Sequence, residues 1–416
     1  MKESCFTEAD ILLPDFRVTD GTKWSVNACD QYTSEPAYWE SVAKTVGDAP
    51  SALALVLPEL YLNDRRAERV AAINRHMEEY LNGILFEHKS SMIYLRRTCR
   101  GGKVREGLVG KLDLTAYSFK AEDNALVRAT EGTVLSRIPP RVEVRRDAAI
   151  ELPHVMLLAD DGDGLLLGSL FAKTDAMEKA YGFELQEGGG RVDGWFLPAD
   201  EIERVKRTVL SMEAAEGEAP FLFAVGDGNH SLASAKAHYE EIAKGLSPEE
   251  AAVHPARYAL VEIVNIHDAS LEFEPIYRVV FGGGEELLPA LSAFADRCGA
   301  ADTAYPRQEV LYVNAEGEGR IVFEKGAHSL TVGTLQIFLD EYLKSHPEAE
   351  IDYIHGEDSL RALATKAGAV GFLFDGMSKG ELFPSVKRDG PLPRKTFSMG
   401  EAYDKRYYLE ARRIKW

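Results

Sequence analysis

The sequence predicts a mixed α/β protein with two lobes. Short apolar runs alternate with amphipathic helical segments along most of the 416 residues, an order typical of α/β architecture. The five apolar residues Phe221–Val225 predict a strand that is buried on both faces. Three consecutive glycines, Gly282–Gly284, predict a boundary, because their backbone entropy disfavours a place inside a helix or strand. We therefore expect a main domain over residues 1–281 and a C-terminal lobe over 282–416, whose last segment, from 391 to 416, packs back on the main domain.

Hydrophobic periodicity locates the individual elements. In the main domain it predicts helices over 63–82, 199–212 and 231–244, and strands over 52–57, 91–95, 107–114, 155–158 and 258–266. The C-terminal lobe repeats helix and strand over 287–295, 310–313, 320–323, 334–344 and 370–374.

Composition narrows the classes of partner. The formal net charge of −19 repels phosphate backbones and anionic membrane surfaces, so neither nucleic acid nor a membrane is an expected partner. No apolar run reaches the roughly 18 to 20 residues that a bilayer span needs. The first sixteen residues are acidic and have no apolar signal-peptide core, which predicts a cytoplasmic protein. The sequence leaves the oligomeric state open.

The four cysteines are far apart in the sequence and have no metal-ligand spacing. We therefore expect neither zinc nor an iron–sulfur cluster, and haem is not expected either. The histidines His254, His267 and His355 are scattered and are expected to be structural.

A strand–loop–helix segment carries the strongest functional signal. The buried run ends in Gly226-Asp227-Gly228-Asn229-His230-Ser231, and an amphipathic helix follows. The first turn of a helix has unpaired N–H groups and a positive dipole end, which together bind anions, and glycines let the backbone approach a phosphate. In this interpretation Gly226 and Gly228 cradle the phosphate.

Each polar residue of this loop has a candidate role. Ser231 or Asn229 is a candidate helix cap. His230 is a candidate phosphate ligand or proton carrier, and Asp227 is a candidate base or metal ligand, with Mg²⁺ as the expected ion. An ordinary turn that uses Gly, Asp and Asn for their backbone preferences explains the same letters equally well.

The loop resembles the D-G-H-H-R-x-x-A box of the uncharacterised family known as domain of unknown function 1015. Glu274–Val280 resembles the P-x-H-R-V-V segment of that family, and Leu392–Phe397 resembles its closing M-P-x-K-S-T-x-F segment. Cys29–Tyr32 is aligned loosely with its early Y-D-V segment. The box is in turn similar to that of the ParB/sulfiredoxin-like superfamily, which includes free-serine kinases and uses it to hold nucleotide phosphates. The resemblance implies a phosphate-binding core of that kind.

This sequence departs from the family box at two positions. Asn229 stands in place of the first histidine, and Ser231 stands in place of the arginine, so one positive charge is lost. The segment from Arg128 to Arg141, which resembles the R-x-x-E-x-T segment of the family, is the expected source of a replacement charge. Within it, Arg128 and Arg141 are candidate phosphate ligands and Glu131 is a candidate base. The polar stretch after Pro393 adds Lys395 as a further candidate for offsetting ligand charge.

These residues lead to two functional hypotheses. The first is an enzyme that uses a nucleotide, ATP or ADP with Mg²⁺, on a small metabolite, as a phosphotransferase acting on a hydroxyl group. The second is a non-catalytic regulator that binds a nucleotide through the same loop. Turnover of the nucleotide distinguishes them.

Overall fold

The computed structural model describes residues 3–120, 123–217 and 220–416. The chain divides into two compact units. The first comprises residues 1–129, 133–271 and 401–416, and the second comprises 130–132 and 272–400. The fold is mixed α/β, as predicted. None of the helices in the described ranges combines the length and apolar character that crossing a membrane requires.

The first unit holds most of the strands and helices. Its strands are β1 Phe6–Thr7, β2 Ala9–Pro14, β3 Val26–Asn27, β4 Leu85–Ser91, β5 Ile93–Thr98, β6 Val104–Asp113, β7 Tyr117–Ser118, β8 Val127–Ala129, β9 Ile150–Glu151, β10 Met156–Ala159, β11 Glu178–Glu184, β12 Arg191–Phe196, β13 Phe223–Asp227, β14 Tyr258–Asn265, β21 Tyr407–Tyr408 and β22 Arg412–Arg413. Its helices are α1 Gly21–Trp24, α2 Pro36–Val46, α3 Arg66–Gly83, α4 Ile138–Arg146, α5 Ala199–Ala215, α6 Asn229–Ala243 and α7 Pro248–Val253.

A mixed sheet forms the centre of the first unit, in the strand order β11-β12-β5-β6-β14-β10-β13-β8-β7, with β1 added at β6. The pairs β10–β14 and β13–β8 are parallel, and β10–β13 is antiparallel. Strand β13 is therefore an interior strand, between β10 and β8, and its first three residues, Phe223–Val225, are fully buried, as the apolar run predicts. Helices α5 and α6 contribute Val205, Val209 and Leu232 to the same core.

The second unit is an antiparallel sheet with helices. Its strands are β15 Phe273–Phe281, β16 Gln308–Asn314, β17 Gly317–Phe323, β18 Glu350–His355, β19 Ala369–Leu373 and β20 Phe397–Met399, and its helices are α8 Leu287–Ala300, α9 Thr331–Ser345, α10 Glu357–Ala364 and α11 Lys379–Asp389. The strand order is β17-β16-β19-β15-β18, with β20 pairing the start of β15. A small core from β15, β19 and α10 includes Val279, Leu360 and Leu373.

Two sequence expectations differ from the structure. Residues 52–57 were expected to form a strand, but Ala52–Leu55 form a 3₁₀ helix capped by Ser51, because a short apolar run does not by itself distinguish strand from helix. The domain boundary was expected at Gly282–Gly284, but these glycines follow β15 inside the second unit, whose main segment begins at residue 272. Residues 401–416 belong to the first unit.

A buried ion network fixes this last segment in the first unit. The guanidinium of Arg406 donates to Glu262 Oε2 and to Glu410 Oε2, both at 2.7 Å, and all three side chains are at most 2 % exposed. Burial alone would lower the pKa of Arg406, but the carboxylates of Glu410 and Glu262 outweigh it and raise that pKa. Tyr181 donates to the other oxygen of Glu410 at 2.5 Å. Arg406 therefore stays charged and joins the segment to β14.

Replacing Arg406 with methionine should strongly destabilise the first unit. The substitution leaves two buried carboxylates without their cation, which costs about 3–5 kcal/mol in the free energy of unfolding. Arg413→Met is the matched control, because Arg413 is 46 % exposed and its loss should cost about 0.5 kcal/mol or less. Urea unfolding of both variants measures the difference. Equal stability of the two variants would show that the network contributes nothing.

Candidate functional site

The loop after β13 delivers polar residues to the start of α6. Gly228 is the residue that precedes the helix, and it has the left-handed backbone angles φ 79° and ψ 25°. A Cβ at this position would also lie 3.0 Å from the Cα of Val155. Gly228 is therefore required both for the turn and for the close approach to the segment before β10.

Gly226 has a different explanation. A Cβ there would lie 2.8 Å from the Cγ of Leu158 on β10. The missing side chain lets β13 pack against its neighbour strand. This packing accounts for the glycine without a ligand.

The helix start has no side-chain cap. Neither Asn229 nor Ser231 caps α6, so the expectation that one of them does is wrong. Asn229 is instead the first helical residue, and its Oδ1 atom is buried with no hydrogen-bond partner among the described residues. Without a cap, the first-turn N–H groups keep their capacity to bind an external acceptor.

Asp227 lies between this helix start and a lysine from the last segment. Its Oδ1 accepts a hydrogen bond from the N–H of Gly228 at 3.0 Å. Its Oδ2 is buried, has no hydrogen-bond partner within the part of the chain that the structure describes, and lies 3.7 Å from Nζ of Lys405. The two side chains are 13 and 15 % exposed, so the pair lies in a recess that solvent still reaches.

Two arginines fix the backbone around Lys405. Arg97 donates to the carbonyl oxygens of Tyr403 and Lys405 at 2.5 Å and to that of Gly189 at 2.9 Å. Arg105 donates to the carbonyl of Asp404 at 2.9 Å. Burial lowers the pKa of Arg97 to about 10, which still leaves it charged at neutral pH. The position of Lys405 is therefore set by buried charges.

His230 lies close to Arg141, which α4 provides. Helices α4 and α6 pack through Ile138, Val142 and Ala233. Burial lowers the pKa of His230 from 6.5, and the charges of Arg141 and Arg137 lower it further. The N–H of Val134 donates to Nε2 of His230 at 3.3 Å, so the ring proton of the neutral imidazole is on Nδ1. Nε2 is therefore occupied, and His230 is better suited to donate a hydrogen bond than to accept a proton.

Arg141 also forms an ion pair at 2.9 Å with Glu59, and the two side chains are 21 and 25 % exposed. The charge of Glu59 raises the pKa of His230, as does that of Asp30, although neither offsets burial and the arginines. Glu59 and Asp30 therefore lie within electrostatic range of the helix start.

Asp30 forms a relay with His154 and Tyr408. Tyr408 Oη lies 2.9 Å from Nδ1 of His154, and Nε2 of His154 lies 3.8 Å from Oδ2 of Asp30. Burial raises the pKa of Tyr408 far above its usual value, and the neighbouring Cys29 and Asp30 add to this effect, so the phenol keeps its proton. Nε2 of His154 faces Asp30 from the other side of the ring.

The Asp30 carboxylate remains ionised. Burial alone would raise its pKa, but the charges of His154 and Lys405 and a hydrogen bond from Gln31 more than offset this effect and lower it. The side chain is 29 % exposed and therefore accessible from the recess. Asp30 is thus a partly exposed, ionised carboxylate within electrostatic range of Lys405.

Three of these residues were not among the sequence candidates. Cys29–Tyr32 was noted only as a loose alignment, with no role for Asp30, while His154 and Lys405 carried no local pattern. Asp30 follows β3, His154 precedes β10, and Lys405 is near the end of the chain. Their closeness depends on the sheet and on the return of the last segment. A pairing signal between residues 26–27 and 407–408 would have indicated it, since β21 pairs with β3.

Arg128 does not point toward the loop. Its guanidinium donates to the carbonyls of Ala125 and Pro220 and lies over the ring of Phe221. Arg128 is opposite Ala224 in the parallel pair β8–β13, so a side chain that turns back to residue 220 leads away from residues 226–231. The structure therefore corrects the expectation that Arg128 offsets charge at the loop.

Glu131 and Lys395 belong to the second unit. The backbone of Glu131 forms an isolated β-bridge with Leu392. The negative charge of the Glu131 side chain partly offsets the lowering of the pKa of Arg278 by burial. Arg278 donates to the carbonyl of Lys395 at 2.9 Å, and the ammonium of Lys395 lies 5.4 Å from the centre of the Tyr353 ring. These two candidates are therefore close to one another within the second unit, whereas the loop and Arg141 belong to the first.

The described residues offer no complete protein site for a metal. No group of three or more His, Cys, Asp or Glu side chains within 3–120, 123–217 and 220–416 has the arrangement that holds an ion. Asp227 Oδ2 fits as a single ligand. Mg²⁺ commonly takes one or two carboxylates and completes its shell with phosphate oxygens and water.

Residues 13–358 match the family described as protein of unknown function (DUF1015). The chain belongs to this family. The match covers most of the chain and confirms the resemblance noted in the loop. It ends before 392–397 and before Lys405, so the likeness of the closing segment stays a prediction. None of the curated proteins matches the chain.

Solved structures similar to this DUF1015 protein include a free serine kinase variant in complex with ADP, at 13 % identity and a TM-score of 0.38, covering 74 % of this chain and 92 % of that one. A conserved hypothetical protein from Pyrococcus furiosus is 13 % identical, with a TM-score of 0.35, over 73 % of this chain and 94 % of that one. SbnI from Staphylococcus aureus with a C-terminal truncation is 9 % identical, with a TM-score of 0.35, over 70 % of this chain and 82 % of that one. Similarities as low as these do not assign a ligand or a residue role to this chain.

Removing the charge of Arg141 should raise the pKa of His230. In Arg141→Ala the midpoint moves toward 6.5 but remains below it, because burial is the larger cause of the lowering. Titration of the imidazole signals by NMR, with His230→Gln for assignment, measures the midpoint. Arg146→Ala is the control, since Arg146 is on the same helix and its charge is not among those that lower the pKa of His230. An unchanged midpoint in Arg141→Ala would place Arg141 too far away to act on a ligand there.

Proposed function

We propose that the first unit binds the phosphates of a nucleotide at the start of α6 and transfers a phosphoryl group to a hydroxyl of a small metabolite. One observation carries this proposal. The start of α6 has no side-chain cap, Arg141 lies within electrostatic range of His230 in its first turn, and the ionised carboxylate of Asp30 lies within range of His230 and Lys405.

The helix start and the cations account for phosphate binding. Phosphate oxygens accept from the first-turn N–H groups, and the dipole of α6 adds to the attraction. Lys405 supplies the charge that Ser231 does not, and its ammonium is held near Asp227. Arg141 has one carboxylate partner, Glu59, and retains donors for a second anion.

Asp30 is the group that we assign to the acceptor hydroxyl. Phosphoryl transfer has a loose transition state in which the base mainly orients the nucleophile, so a carboxylate with a lowered pKa suffices. The side-chain amide of Gln31 donates to Oδ1 of Asp30 at 3.0 Å, and Nε2 of His154, whose ring is hydrogen-bonded to Tyr408, lies 3.8 Å from Oδ2. This arrangement holds the carboxylate in one orientation, which lowers the entropy cost of reaction.

Asp227 would bind a magnesium ion that accompanies the nucleotide. Among the described residues its Oδ2 has no hydrogen-bond partner, and a carboxylate oxygen is the kind of ligand that Mg²⁺ takes from proteins. The ion would supply charge neutralisation at the phosphates. The residues of the chain bind the nucleotide phosphates, orient the acceptor hydroxyl and accept its proton.

Nucleotides with Mg²⁺ should raise the melting temperature of the protein. A ligand that binds only the folded state stabilises it by about 2.7 kcal/mol at a hundredfold excess over its Kd. Lys405→Ala should abolish most of the shift. Lys244→Ala, which removes an exposed charge at the C-terminal end of α6, should not. Thermal denaturation with ATP, ADP and AMP is the measurement. No shift with any of the three would remove the basis for the proposed function.

Asp30→Asn should lower turnover while sparing nucleotide binding. The amide keeps the shape of the carboxylate but cannot accept a proton, so kcat falls and Kd for the nucleotide stays within about twofold. Asp227→Asn should instead weaken binding in the presence of Mg²⁺. ADP formation with a panel of small hydroxyl compounds gives kcat, and calorimetry gives Kd. Tight nucleotide binding with no turnover on any acceptor would favour the non-catalytic regulator.

A further inference from the structure

A second cavity, of about 460 Å³, lies where the later parts of α4 and α6 meet the last residues of the chain in the first unit. Its lining includes the cations Arg146 and Lys415 and the histidines His238 and His254. None of these side chains takes part in the site described above.

His238 lines this cavity and has an unused hydrogen-bonding atom. The residue is 2 % exposed, and its Nδ1 is buried with no partner among the described residues. Burial, followed by the charges of Arg145, Lys415 and Arg146, lowers its pKa to about 4, so the ring is neutral at physiological pH. A buried polar atom without a partner costs free energy, which a bound group that pairs with it would recover.

The second histidine presents a donor. Nδ1 of His254 accepts from the N–H of Ala256 at 3.1 Å, and burial lowers the pKa of the ring below 6.5. The proton of the neutral ring is therefore on Nε2, where it is available to an acceptor in the cavity.

The side chains that line the cavity carry a net positive charge. Arg146 and Lys415 contribute two positive charges, and the one carboxylate side chain of the lining, Glu241, lies 3.7 Å from Arg146. Both members of that pair are about half exposed, so the pair is weak and leaves Arg146 able to contact a ligand.

The other residues that line the cavity are apolar. Trp416 is 80 % exposed, and its ring lies edge to face with His254 at 6.0 Å between centroids. Ile242 lines the same cavity. An indole left in water next to a cavity gains free energy when another flat ring covers it.

We propose that this cavity is a second ligand site, for a small anion with an aromatic body, such as an aromatic carboxylate. The anionic group contacts Lys415, Arg146 and the Nε2–H of His254, and a polar group beside it pairs with Nδ1 of His238. The aromatic ring lies against Trp416 and Ile242. This site is independent of the proposed nucleotide function, because it shares no residue with the recess around Asp30.

Tryptophan fluorescence of the full-length protein tests the site. Benzoate should change the emission saturably with a Kd on the order of millimolar, a usual value for so small a ligand. Benzyl alcohol lacks the charge and acetate lacks the ring, so both should bind at least tenfold more weakly. Trp416→Phe should remove the signal, since Trp24 and Trp39 are buried and Trp195 does not line the cavity.

Lys415→Ala and His238→Leu should each weaken benzoate binding about tenfold. Lys244→Ala removes an exposed charge near the end of α6 without lining the cavity, and it should leave Kd unchanged. Circular-dichroism melting verifies that each variant is folded. Non-saturable titration, equal binding of benzyl alcohol, or a Kd that ignores Lys415 would each overturn the proposal.

Discussion

The first unit depends on one buried cation. Arg406 is surrounded by Glu262 and Glu410, and it also donates to the carbonyl of Pro153 at 2.7 Å. Gly107 makes room for this arrangement, because a Cβ there would lie 2.3 Å from Oε1 of Glu262. A charge in such surroundings is tolerated only when its partners are in place, so the network specifies where residues 401–416 lie far more tightly than apolar packing alone would.

The candidate site inherits its geometry from that constraint. Lys405 precedes Arg406 directly, and Tyr408 follows it in a strand that pairs with Val26, four residues before Asp30. Pro153, which accepts from Arg406, precedes His154. The lysine, the histidine and the tyrosine are therefore positioned by neighbours of one buried guanidinium. Their rotamers are restricted by backbone and side-chain contacts, as a preorganised site requires.

Local sequence signals predicted the parts of this protein that local physics decides. The run Phe221–Val225 overlaps β13, and the loop that follows begins α6, because burial on both faces and glycine preferences act over a few residues. The direction in which Arg128 turns, and the meeting of Asp30 with Lys405 across most of the chain, follow from tertiary packing that no periodicity encodes. The R-x-x-E-x-T segment was similar in letters but is divided between two units.

The order of the segments along the chain has a consequence for biosynthesis. Residues 272–400 are translated between the bulk of the first unit and the sixteen residues that complete it. A ribosome-bound chain can thus finish the second unit while the first still lacks Lys405 and the buried guanidinium beside it. A product that ended in that interval would lack Arg406 and would leave Glu262 buried without its cation. The recess therefore forms only after residues 401–416 have been synthesised, because Lys405 and Tyr408 lie in that segment.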